Sequence, residues 1–305
     1  MYISTPNKKI KFANKYIKNQ QTLYPMKTLK LFLQRASLLL LSAILIFTLT
    51  NCKGKKDSKT REDSTENKLK REEVEKSVRE VVYPLPTAFE VTTMINEIEA
   101  SYIIGLTNEI ENVDKYFTDK DQALNLGVYS ADLSYASTYQ MKQDIINYME
   151  ASEYLIKELG ITGAFDRNFI DKVEENINNK EKLTDLITDS FYATYKYLVR
   201  NNKEDLSLLV LTGSWIEAMY ISCNISETVY NDPELVKIIL HQKGSLNKLL
   251  DLLKKHESHA SIDQLIQQLK PIKKVYDSVD ETGITKKQLN EIIEKTIALR
   301  TEIIS

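Results

Sequence analysis

From residue 87 onward apolar residues return every three or four positions instead of alternating, which is the spacing of an amphipathic helix and not of a strand. Leu183, Leu186, Ile187, Ser190, Phe191, Thr194 and Leu198 share one such stripe. Ile262, Leu265, Ile266, Leu269, Ile272, Val275, Tyr276 and Val279 share another. Each stripe needs an apolar surface to cover it. The pattern predicts helices over 87–112, 119–138, 140–159, 166–178, 181–201, 204–227, 233–256 and 261–304. The last span is broken near Gly283 and counts as one helix or two. The expected fold class is therefore all-α, a compact antiparallel bundle of about eight or nine helices occupying 83–305. No recurring consensus supports a helical solenoid.

The punctuation agrees. Gly160 stands where a left-handed helix C-cap is expected, and Asp232-Pro233-Glu234 reads as N-cap, first helical residue and acidic first turn. Thr87-Ala88-Phe89-Glu90 has the form of a capping box just after Pro84 and Pro86, so the body is expected to begin there. Pro271 interrupts an apolar stripe and predicts a kink.

Ahead of the body the composition changes twice. Between Lys53 and Glu80, 18 of 28 residues are charged and only Leu69, Val74 and Val78 are aliphatic. Such a stretch buries too little apolar surface to offset its ordering entropy, so 52–82 is expected to be a charged tether, spanning about 30 Å as a coil. Residues 1–51 hold eight Lys or Arg and no Asp or Glu. Within them Lys27, Lys30 and Arg35 precede an apolar run from Leu38 to Leu49, the order of a secretory signal peptide, here 26–51. The run is shorter than the roughly 20 residues of a spanning helix. Residues 1–25, with five lysines, are too polar for a signal n-region and are read as a mis-assigned start or a leader extension. From Cys52 on, 33 basic residues face 43 acidic ones, a net charge of about −10. An acidic body argues against nucleic acid as a partner.

Leu49-Thr50-Asn51-Cys52 resembles the bacterial lipobox, although Asn51 stands where Gly, Ala or Ser is usual. The resemblance covers about 27 residues and implies cleavage by signal peptidase II before Cys52, followed by acylation of that cysteine. One acyl chain holds a protein only marginally and several hold it firmly. The implied location is the cell envelope, a lipid anchor in the outer membrane with the body facing the periplasm. In surface-exported lipoproteins of Bacteroidota acidic residues closely follow the cysteine, whereas here Lys53-Gly54-Lys55-Lys56 precedes Asp57.

Within the body, Leu124 to Tyr135 is the least generic stretch, and it resembles a segment of uncharacterised helical lipoproteins of Bacteroidota. Gly127 and Ala131 are one turn apart and admit a close neighbour, with Asp132 and Tyr135 bordering that seam. Gly213, Ser214, Trp215 and Glu217 form a second small-residue patch, from which Glu217 is a candidate to meet Asp132 across the core. Two readings stay open. Facing carboxylates bind a ligand or share a proton, or the patches are packing grooves whose buried polar groups are hydrogen-bonded.

The remaining chemistry is sparse. His256-Glu257-Ser258-His259 lacks a third ligand at metal spacing and reads as a solvated helix end. Cys223, the one cysteine left if Cys52 is acylated, reads as a small buried hydrophobe. The chain contains no Glu-x-x-His, no Gly-x-His-x-x-Glu of the imelysin type, no Gly-x-Ser-x-Gly and no phosphate-binding glycine loop. No catalytic or metal-binding residue is assigned, and no cofactor is expected beyond the covalent lipid on Cys52. The resulting expectation is a membrane-anchored, non-enzymatic binding or accessory module with an envelope protein partner. The alternatives are a small-ligand or metal-binding bundle using Asp132, Tyr135 and Glu217, or an envelope enzyme built on those carboxylates.

Overall fold

The structure is a computed structural model, and it describes residues 88–164, 168–225, 229–280 and 283–305. The leader, Cys52, the tether and Thr87 of the capping box lie outside the described residues, all of which belong to the unit running from Lys59 to Ser305. The body is an all-α bundle. Its helices are α1 (Ala88–Glu97), α2 (Asp119–Thr138), α3 (Lys142–Glu158), α4 (Phe169–Glu175), α5 (Lys180–Arg200), α6 (Glu204–Asn224), α7 (Pro233–Lys254), α8 (Ala260–Asp277) and α9 (Lys286–Ile304).

Local chemistry sets most of the boundaries. The Thr118 hydroxyl accepts the Asp121 N–H at the start of α2, and Asp232 accepts the N–H groups of Glu234 and Leu235 ahead of Pro233 in α7. Gly160, at φ +63°, ends α3 with two hydrogen bonds, from its own N–H to Lys157 and from Ile161 N–H to Ile156, which together make a Schellman motif. Thr285 and Gln288 form a reciprocal capping box at α9, so the last predicted span is two helices. α8 runs on through Pro271, whose ring leaves the Gln267 carbonyl without its usual helical donor.

One predicted helix is much shorter in the structure. The span 87–112 is helical only to Glu97, after which the chain is irregular to Thr118 apart from a 3-10 turn at Ile110–Lys115. Glu99 and Gly105 both take left-handed backbone angles, φ 61° and 82°, which an α-helix cannot contain. Side-chain hydroxyls satisfy the backbone of this segment. Tyr135 Oη accepts from Ile103 N–H, while Tyr139 and Tyr129 donate to the carbonyls of Ala100 and Glu109. Three of the 17 tyrosines thus hold one loop to the bundle.

α2 and α6 form the centre. Both are buried nearly all round, as expected for helices enclosed by others. α6 is apolar and long enough to cross a membrane by composition alone, yet 89% of its apolar window is buried in the bundle. The two backbones touch through glycine. A Cβ built on Gly127 would lie 2.1 Å from the Val210 carbonyl oxygen, and one built on Gly213 would lie 2.0 Å from the Leu124 carbonyl oxygen. α9 lies back along α2, with Asn125 Nδ2 donating to the Ile303 carbonyl.

Because backbone carbonyls cannot rotate aside, Gly127→Ala or Gly213→Ala should lower stability by about 3 kcal/mol. Gly244→Ala, in α7 where an added Cβ meets nothing within 4 Å, should raise it by about 0.5–1 kcal/mol. Urea unfolding of the three variants checks both signs.

Candidate functional site

The close crossing of α2 and α6 places two carboxylates in the interior. Asp132 on α2 and Glu217 on α6 are each fully buried, and near enough for the charge of one to act on the other. The third member comes from α9. Arg300 donates Nε–H to Glu217 Oε2 at 2.9 Å and Nη2–H to Oε1 at 3.0 Å, a bidentate fork that occupies both oxygens. Its guanidinium carbon sits 4.2 Å from the ring centroid of the partly buried Tyr220, a cation–π contact.

Asp132 is less well supplied. Its Oδ2 accepts the Asn108 N–H at 3.2 Å, and its Oδ1 has no donor. Burial, and after it the neighbouring Glu217 charge, hold the Asp132 carboxyl well above the usual carboxylate range. For Arg300 burial favours loss of the proton, but the Glu217 carboxylate outweighs it and the guanidinium is held more firmly cationic than usual. The Tyr148 phenol is raised by burial and then by Asp132, so it faces this cluster as a neutral hydroxyl.

Asp132 and Glu217 do come together. Tyr135 does not join them, because its hydroxyl is taken by Ile103 N–H and its ring stacks on Tyr102 with centroids 4.6 Å apart. Arg300 was missed, although its position carried a signal. It falls on the same stripe as Leu289, Ile292, Thr296 and Ile303, where a charged residue needs a buried partner.

The other candidates sit elsewhere. A cavity of about 50 Å³ lies among α1, α2, α3, α5 and α6 against Leu133, Met149, Ser152, Ile187, Phe191 and Val210, and none of the three charged residues lines it. His256 and His259, expected as a solvated helix end, are half-exposed and both turn Nδ1 toward Asp205 at the start of α6, at 3.4 Å and 2.6 Å. Among the described residues no group of three or more His, Cys, Asp or Glu is arranged to hold a metal ion. Cys223 is buried as expected, and burial pushes its thiol up to about 12.

Arg300→Met should cost about 3 kcal/mol or more by stranding buried carboxylate charge, and Glu217→Met/Arg300→Met should cost clearly less than the two single changes added together. A double-mutant cycle in urea measures the coupling. With Cys52 replaced by alanine, Cys223 should resist a thiol-specific chromogenic disulfide in native buffer and react only after unfolding, since the thiolate is the reacting form. Prompt labelling of the native chain would place that thiol at the surface. Comparison of the chain with protein-family models, with curated proteins and with solved structures found no match.

Proposed function

We propose that the protein is a membrane-anchored lipoprotein of the cell envelope, held by acyl chains on Cys52 in the outer membrane and facing the periplasm, whose helical body is a binding or accessory module for an envelope protein. The anchor rests on the basic-then-apolar leader and the lipobox-like Leu49–Cys52. The binding role rests on one observation in the body. Ile104 and Phe117 are 86% and 83% exposed on the irregular segment between α1 and α2, whose backbone is tied to the bundle by tyrosine hydroxyls. Large apolar side chains displayed on a loop fixed to a rigid scaffold are suited to contact with another protein.

The ligand-site alternative finds less support. Glu217 has both oxygens engaged by Arg300, and the cavity does not reach either carboxylate.

The anchor is tested by fractionating cells that express the wild-type chain or Cys52→Ala, with mass analysis of the mature N-terminus. The wild type should begin at an acylated Cys52 and sediment with membranes, and the variant should be released. A mature chain retaining residues before Cys52, or equal membrane retention of the variant, overturns the lipoprotein reading. For the module, a photo-crosslinking residue at position 104 or 117 should capture one reproducible envelope partner, and Ile104→Asp or Phe117→Asp should abolish its binding.

A further inference from the structure

Several polar and charged groups face Asp132. α2 itself contributes Tyr129, α3 contributes Tyr148, and the 98–118 segment contributes Tyr116 and the Asn108 N–H. α6 contributes Glu217 and α9 contributes Arg300. Arg300 is the single cation in this set, and its N–H groups span both oxygens of Glu217. Two carboxylates against one guanidinium would leave a net negative charge in a buried site, an arrangement far more costly than neutralisation by a proton.

The hydrogen-bond pattern says where that proton sits. Glu217 already accepts two charge-assisted bonds and is best placed to remain ionised. Asp132 Oδ2 accepts from Asn108, while Oδ1 is buried without a donor, and Glu217 is its neighbouring carboxylate. Two ionised carboxylates cannot hydrogen-bond to each other, but a carboxylic acid can donate to a carboxylate. We infer that Asp132 is a resident site for one proton, carried on Oδ1 and donated to Glu217, so that a neutral acid, a carboxylate and a guanidinium join α2, α6 and α9 with zero net charge.

This proton links cohesion of the bundle to pH. In the unfolded chain the Asp132 carboxyl ionises near pH 4, whereas in the folded chain it keeps its proton above that point. Folding therefore takes up one proton. The stabilisation is complete below about pH 4 and declines as pH rises through the folded value, each unit in that window moving the unfolding equilibrium about tenfold toward the unfolded chain.

Infrared spectroscopy of the full chain in D₂O, with ¹³C-labelled aspartate, reads the group directly. Near neutral pH the folded wild type should show a protonated-aspartate C=O band, shifted by the label. The band should be missing in Asp132→Asn, whose amide accepts from Asn108 and donates to Glu217. It should also vanish in Glu217→Gln, where Asp132 becomes the counter-ion of Arg300 and ionises. Between about pH 5 and 8 the unfolding constant of the wild type should rise relative to that of Asp132→Asn, by up to tenfold per unit. Absence of the acid band from folded wild type, its survival in Glu217→Gln, or parallel pH curves for wild type and Asp132→Asn would each overturn the assignment. The wild-type band decides the matter even if a variant fails to fold.

Discussion

Where α2 and α6 cross, only glycine hydrogens separate the two backbones. Gly127 and Gly213 each face a carbonyl oxygen of the other helix at a distance that no side chain can occupy. That approach brings Asp132 and Glu217 into one desolvated space. Once both carboxylates are there, a cation becomes necessary, and α9 must lie where Arg300 can reach. The docking of the last helix is thus a consequence of how closely the central two meet. Asn125, donating to the Ile303 carbonyl, and Tyr116, donating to that of Ile304, fix the other end of the same contact.

A polar core of this kind is not an efficient way to gain stability. A bidentate pair in a low-dielectric interior roughly recovers its own desolvation, and apolar side chains of similar volume often do as well or better. Its value lies in selectivity. Leucine stripes pack in many registers, whereas one guanidinium fork satisfies one carboxylate in one geometry. Here that geometry ties α6 to α9, two helices distant in sequence, while neighbouring ones such as α2 and α3 are joined by short turns that need no such device.

Helix positions were readable because their causes are local. The span 119–138 matches α2 because Thr118 caps it and nothing within breaks it, and Asp232-Pro233 starts α7 for similar reasons. The stretch 98–112 departs from the expected helix because its apolar spacing looks helical, while its conformation is set by hydroxyls from Tyr129, Tyr135 and Tyr139 that arrive from residues further along. The meeting of Asp132 and Glu217 was legible only as a possibility, since two glycine patches permit a close crossing without saying which helix each will face. Arg300 was overlooked for another reason. A lone arginine near a helix end usually extends its head to water, and only its place on the α9 stripe marked it as inward.

Glu217 also changes how α6 would look to a lipid bilayer. Taken out of the bundle, the helix is long and apolar enough to be mistaken for a membrane span. A charged side chain near the middle of an inserting helix adds about 2.5–3.5 kcal/mol to the free energy of partitioning. In any chain threaded unfolded through a translocation channel, a carboxylate at that place in a long apolar helix would discourage the helix from stopping in the membrane.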